Sequence, residues 1–454
     1  MLKRLYSHLQ WTSEPGIRKH LTYRSDEKNA SYPHYDSRLT PHDEAIFLLH
    51  IGAEVEHALM VQYLYAAYSL GGAQVPEEHA AEVIQWQKDI LIVAREEMGH
   101  LVTVQNLLHL IGGPLTLDRE DFPSPTDLYP FSFTLEPLTK KSLGKYVLAE
   151  MPDDEALKNK PEMKKIVDEI KSRIDVDGYK VNRVGKIYER VLKLFDALPV
   201  SAFRKDSVPF QANADTWGLG LTDMLIETAA DKAAAIAGLK KIAEQGEGAS
   251  VDFSKGAALS HFERFLNIYK NFPDSNSGWK PTKNVPVNPC TNDAREDSTE
   301  KELEKRIITN PLTRLWAHLS NQRYRMVLLY LNHALHTQSN SDATQGLGLL
   351  VSWTFREMYN LRSLSGILTT MPQFENGDLH HVAASPFEMP YSVELPNREV
   401  DRWRSHRDQI LTGKLIMDEI ISIAGNNREH LKYLEALKTA DAKALKSIQE
   451  MIKD

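Results

Sequence analysis

The stretch from Glu77 to Leu110 constrains this chain more than any other. Trp86, Ile90, Val93, Val104 and Leu107 recur at helical spacing, which predicts one long helix with a buried stripe. Two polar residues interrupt that stripe, Glu97 and His100. Standing three residues apart, they project from one face about one turn apart. This is the Glu-x-x-His spacing by which a bundle helix offers a bridging carboxylate and an imidazole to a metal ion. A helix before it is announced by Thr40 as N-cap, Pro41 in the first turn, and Asp43 and Glu44 at the positive end of the helix dipole. Its inward stripe, Ile46, Leu49, Ala53, Met60, Tyr63 and Ala67, is broken once, by Glu56, before Gly71-Gly72 closes it. An unpaired buried carboxylate costs several kcal/mol or is neutralised, so Glu56 needs a partner. A salt bridge or a solvated notch would supply one. Opposite Glu97 and His100 on an antiparallel neighbour, Glu56 instead completes half of a dinuclear carboxylate site. Its oxygen and nitrogen donors suit iron, with manganese as the alternative, better than a thiol-preferring metal. Glu54 and Glu96 fall off the two stripes and are read as solvated.

Composition removes competing classes. With 454 residues and 42% hydrophobic content the chain can bury a sizeable core. Its net charge of −8 is spread over interspersed acids and bases, so no basic face for nucleic acid is expected. The single cysteine, Cys290, excludes an intrachain disulfide framework and a Cys-rich metal site, and reads as a bystander in a loop. Met1 to Trp11 is too polar for a signal segment, and no apolar run reaches the roughly 18 residues of a membrane span. A cytoplasmic location without a membrane partner is the expectation.

Further text around these helices narrows the reading. Ala53-Glu54-Val55-Glu56-His57-Ala58, Tyr63 to Leu70, Arg95-Glu96-Glu97-Met98-Gly99-His100 and the run from Leu107 to Pro114 together resemble the ferritin-like domain family of iminophenylpyruvate dimer synthases, enzymes of violacein and indolocarbazole biosynthesis. The resemblance continues at Ala243-Glu244-Gln245-Gly246-Glu247-Gly248 and Ser260-His261-Phe262-Glu263-Arg264-Phe265. It spans about residues 40–275, with a fainter echo at Ala384 to Glu388. It implies a ferritin-like four-helix bundle, a di-iron centre, and a site role for His261, which the residues alone would make a core histidine. Glu150, in a Glu-x-Pro element, is open between a site carboxylate and an exposed helix-terminal residue. A helix is expected from Thr222 to Gln245, and continuing it by one turn places Glu247 on its inward stripe, flanked by glycines that permit close approach. Arg264 is expected to pair with a carboxylate behind the site. The chain departs from the family at Lys186, where relatives carry a Glu; an ammonium has no lone pair to donate. Glu189, one turn along, is the candidate substitute, and one metal or two stays open.

The expected architecture is all-α: an irregular leader over 1–39, a metal-binding bundle with a long crossover over 40–275, a linker over 276–310, and a helical region over 311–454. Within the crossover, Phe122, Tyr129, Phe131 and Phe133 are expected to pack on the bundle. His333 and His336 read as ordinary helix-end histidines without an inward Glu nearby. The predicted ligands are Glu56, Glu97, His100, Glu150, Glu247 and His261, with Tyr63 placed to donate a hydrogen bond or an electron, or else simply core. The expected chemistry is O2 activation at two irons and oxidation of a small organic, amino-acid-derived or natural-product substrate, and a homo-oligomer is compatible with the sequence. Iron handling without substrate chemistry and a metal-free helical binding module are the alternatives.

Overall fold

The structure, a computed structural model, describes residues 39–123, 132–152, 154–158, 160–174, 185–215, 217, 224, 226–247, 259–274, 276–291, 304–338, 344–377, 379–423 and 427–453. The leader, Tyr129 and Phe131 lie outside them. Among the described residues the chain is all-α, and pairing of extended backbone is confined to isolated bridges such as Leu70 with Thr282.

Helix α1 (Pro41–Ser69) begins as its sequence predicts: the Thr40 side chain accepts from the Asp43 amide, with Pro41 in the first turn. Helix α2 (Glu77–Ile111) ends on Gly112, whose φ of 72° is the left-handed geometry of a helix C-terminus. The two helices pack along their length as a hairpin. Helices α3 (Lys140–Glu150) and α8 (His261–Asn271) form the second, shorter pair, each opened by a capping box, Thr139 with Ser142 and Ser260 with Glu263. Between them lie α4 (Asp154–Lys158), α5 (Pro161–Arg173), α6 (Gly185–Ala197) and α7 (Lys232–Glu247), and α6 packs on α1. Helices α9 (Pro311–Leu335), α10 (Thr344–Leu368), α11 (Glu399–Ser422) and α12 (Arg428–Met451) form the C-terminal region.

Helix α7 starts ten residues later than its apolar pattern predicts. The preceding backbone is committed elsewhere: the Glu227 amide donates to Thr103 Oγ1, its carbonyl accepts from Asn106, and Ala229 exchanges two hydrogen bonds with the Gln211 side chain. The helix is then launched at Asp231, whose carboxylate accepts from the Ala234 amide.

Nearly every position of α1 from Phe47 to Ala67 is buried, so the helix is covered on all sides and keeps no solvent face. Its second face is covered by the segment after α2 and by α9. His57 Nδ1 donates to the Leu117 carbonyl at 2.9 Å. Burial, reinforced by the charge of Arg119, holds the His57 imidazole well below its usual pKa and hence neutral, so Nε2 accepts from the Tyr324 hydroxyl at 2.5 Å. Arg119 Nε donates to that hydroxyl at 3.1 Å and also reaches the Phe387 carbonyl. The apolar core accordingly runs without interruption from α1 and α2 into Tyr324, Leu328, Tyr330 and Trp353. Phe122 and Phe133 join it as expected. A second cluster, around Trp316, Leu364, Met417 and Leu434, holds the outer C-terminal helices together.

His333 departs from the helix-end reading. It is fully buried, its Nε2 lies 2.9 Å from Glu399 on α11, and its Nδ1 lies 2.9 Å from His406 Nε2. The carboxylate that its own helix lacks comes from a helix 66 residues downstream. His336 is an exposed helix-end residue.

Candidate metal centre

Glu97 stands midway along α2, and its two oxygens part company. Oε2 lies 3.0 Å from His100 Nδ1, and Oε1 lies 3.0 Å from His261 Nδ1 on α8. On the His100 side, Glu56 Oε2 from α1 is 3.5 Å from the same Nδ1. On the His261 side, Glu150 Oε2 from the end of α3 is 3.7 Å away. Two half-sites, Glu56 with His100 and Glu150 with His261, thus share Glu97. All five side chains are essentially buried, none exceeding 3% exposure. Glu97, His100 and His261 each bring a donor atom within 4.8 Å of the others.

Several of these atoms lack what buried polar atoms normally have. Glu56 Oε2, Glu97 Oε1, Glu96 Oε2 and both ring nitrogens of His261 make no hydrogen bond among the described residues. They nonetheless crowd together, with His261 Nε2 only 3.0 Å from Glu96 Oε2. Such orphans are rare in native interiors. Carboxylate oxygens and imidazole nitrogens that converge off the hydrogen-bond axis fit a hard or borderline cation, which would satisfy them at once. The donor set contains no sulfur, so iron or manganese suits it better than a thiophilic metal.

The surrounding residues fix the carboxylates in place. Tyr188 of α6 donates its hydroxyl to Glu56 Oε1. Tyr63 of α1 donates to Glu150 Oε1 at 2.5 Å and packs between Tyr146 and Phe265. Burial, followed by the charges of Glu150 and Glu97, pushes the Tyr63 phenol well above its usual pKa, which keeps it a donor. The end of α7 closes the site: Gln245 Oε1 is 2.9 Å from His100 Nε2, and a Cβ on Gly246 would stand 3.3 Å from Glu150 Oε2.

Protons are distributed unevenly here. Burial, then repulsion from Glu97, raises the Glu56 carboxyl to about 8. Burial works against His100, but its contacts with Glu56 and Glu97 outweigh it and lift the imidazole to about 10. For His261, burial is again outweighed, here by the charge of Glu97 and contacts with Glu150 and Glu96, so its pKa rises well above the usual value. Burial would raise Glu97 too, yet the charge of His261 and the contact with His100 hold it below the ordinary carboxylate range.

Of the residues singled out from sequence, Glu56, Glu97, His100, Glu150, His261 and Tyr63 meet in this cluster. Glu150 is buried, not an exposed helix end. The Glu247 side chain lies outside the described residues. Glu96 and Glu54 are not solvated: Glu96 faces His261, and Glu54 Oε1 accepts from the Glu120 amide, because the second faces of α1 and α2 are covered. Lys186 and Glu189 are partly exposed and face each other at 3.6 Å, so Glu189 is no substitute ligand and α6 reaches the site through Tyr188 instead. Arg264 donates to the Leu259 carbonyl and lies 4.0 Å from Asp89, away from the ligands. Sequence reasoning missed Tyr188 and Gln245: Tyr188 sits on an ordinary apolar stripe, and the family-like stretch that contains Gln245 was read for Glu247 alone.

Comparisons with known proteins bear on the same stretch. Dichlorochromopyrrolate synthase from Lentzea aerocolonigenes is 23% identical over 408 residues, covering 82% of this chain and 39% of that protein. The chain therefore spans about two fifths of the length of the curated relative it matches. A crystal structure of a ferritin-like protein from Caulobacter vibrioides is similar with a TM-score of 0.43 and 16% identity, covering 76% of this chain and 98% of that one. Residues 49–270 match the family described as Ferritin-like. The chain thus carries a ferritin-like domain over residues 49–270, the stretch that supplies every side chain of the buried Glu/His cluster.

Proposed function

We propose that this cluster is a dinuclear iron centre and that the protein uses O2 to oxidise or oxygenate a small organic substrate. The observation that carries the reading is the division of Glu97, one oxygen to each Glu/His half-site, with buried lone pairs left unpartnered on both sides. Glu56 and His100 would hold one ion, Glu150 and His261 the other, with Glu97 between them. When bound, such a pair supplies two-electron redox chemistry toward O2. Carboxylate charge from Glu56, Glu97 and Glu150 offsets much of that of two divalent cations, and Glu96 stands close enough to add to it. Tyr188 and Tyr63 hold the two terminal carboxylates at fixed angles. The apolar surroundings, Tyr146 and Phe265 among them, exclude water from the Glu150 side.

Similarity to dichlorochromopyrrolate synthase over most of this chain supports a natural-product substrate, and a match to 39% of that protein keeps identity of reaction out of the proposal. The test is O2 uptake by iron-loaded protein supplied with a reductant and a panel of aromatic amino acids and their 2-oxo or imino derivatives. Uptake that continues over many turnovers and depends on one class of compound supports an oxygenase or oxidase. Uptake that stops when the added ferrous iron is used up assigns the protein to iron handling instead.

A further inference from the structure

The two half-sites are alike in their inner ligands and unlike behind their histidines. Each imidazole turns Nδ1 toward the carboxylates and Nε2 outward. Behind His100, Nε2 meets the neutral carboxamide of Gln245, whose Oε1 accepts at 2.9 Å. Behind His261, Nε2 meets the carboxylate of Glu96, with Oε2 at 3.0 Å and no hydrogen bond of its own. That contact lies off the axis of the ring N–H, so its effect is electrostatic. Once an ion displaces the proton on Nδ1, a carboxylate at this range holds the remaining proton on Nε2 and makes Nδ1 a stronger donor. A carboxamide orients its imidazole without adding charge. Glu96 is 5% exposed, so little solvent screens the difference.

We infer that Glu96 and Gln245 are positioning residues that make the two metal positions unequal, the one at His261 filling first and holding its ion more tightly than the one at His100. This rests on the dinuclear reading and adds an order of filling to it. Both outer residues come from segments already committed to the site. Glu96 precedes the shared Glu97 on α2, and Gln245 precedes Gly246, the position that approaches Glu150. One helix therefore supplies the bridge and the charged outer residue, and α7 supplies the neutral one.

The test is a titration of the full-length, metal-free protein with Co2+, following the visible absorption of bound cobalt and measuring affinities by chelator competition. Two steps are expected, separated by about 10–100-fold, the usual effect of an outer-shell partner. His261→Ala should remove the tighter step and His100→Ala the weaker one. Glu96→Gln should draw the two steps together, and Gln245→Glu should do so from the other side by strengthening the weaker site. Because the two variants reach the same result by opposite changes, a folding failure in one leaves the other decisive, with circular dichroism reporting on the fold of each. Two equal steps in the unaltered protein, or a separation that neither variant changes, would overturn the inference while leaving the metal centre intact. Failure of the unaltered protein to bind any Co2+ would overturn the metal centre itself and the inference with it.

Discussion

Loading the site with metal should expel protons, and their number follows from the geometry. At pH 7, Glu56, raised to about 8, carries ~0.9 of a proton. His100, lifted to about 10, and His261, pushed well above its usual value, are both protonated on Nδ1 toward the carboxylates. Glu97, held below the ordinary range, carries none. A metal needs the Nδ1 lone pairs and the Glu56 oxygen, so filling both positions at pH 7 should release ~3 protons. By pH 9 the Glu56 contribution shrinks to ~0.1, so fewer protons are released than at pH 7. The sign is fixed: every group involved loses a proton on binding, so affinity rises with pH and rises less steeply once Glu56 has ionised. Isothermal titration calorimetry at pH 7, in two buffers of different ionisation enthalpy, reads the number directly. Heats that are the same in both buffers while metal binds would refute the argument, because the imidazoles would then be neutral and not paired to the carboxylates.

Two other substitutions probe the framework. Tyr324→Phe removes the hydroxyl between His57 and Arg119 and leaves the buried His57 Nε2 without a partner, so a loss of ~1–3 kcal/mol in stability is expected, measured by urea denaturation. An unchanged midpoint would mean that water takes over the bond. Tyr188→Phe frees Glu56 to swing without altering any metal donor, and should weaken the His100-side ion by about tenfold in chelator competition while the fold is retained; equal affinity would leave Tyr188 as packing only.

The first half of the site was legible because it is local. Glu56, Glu97 and His100 break apolar stripes on long helices, and helical periodicity alone turns them toward one another. Glu150 and His261 needed the family resemblance, since a lone histidine on an amphipathic face reads as core and a Glu at a helix end reads as exposed. What stayed hidden depends on coverage from far along the chain. Glu54 was read as solvated because α1 was expected to keep one face in water. That face is buried by residues near 120 and by Tyr324, which no window around Glu54 contains. Glu96 is the same case on α2, where His261 from α8 meets it. Helix α7 begins late because Gln211, Thr103 and Asn106 claim the preceding backbone, a competition invisible to propensity. Lys186 looked like a lost ligand only on the assumption that α6 contributes a carboxylate, whereas its contribution is the Tyr188 hydroxyl.

The central claim is that Glu97 joins two metal positions. Its most direct test is the metal content of protein produced in iron-supplemented medium, compared with the Glu97→Ala and His100→Ala variants. Two irons per chain in the unaltered protein, falling below one in Glu97→Ala and to about one in His100→Ala, is the predicted result. Fewer than one metal per chain in the unaltered protein, or content that neither substitution alters, would contradict it.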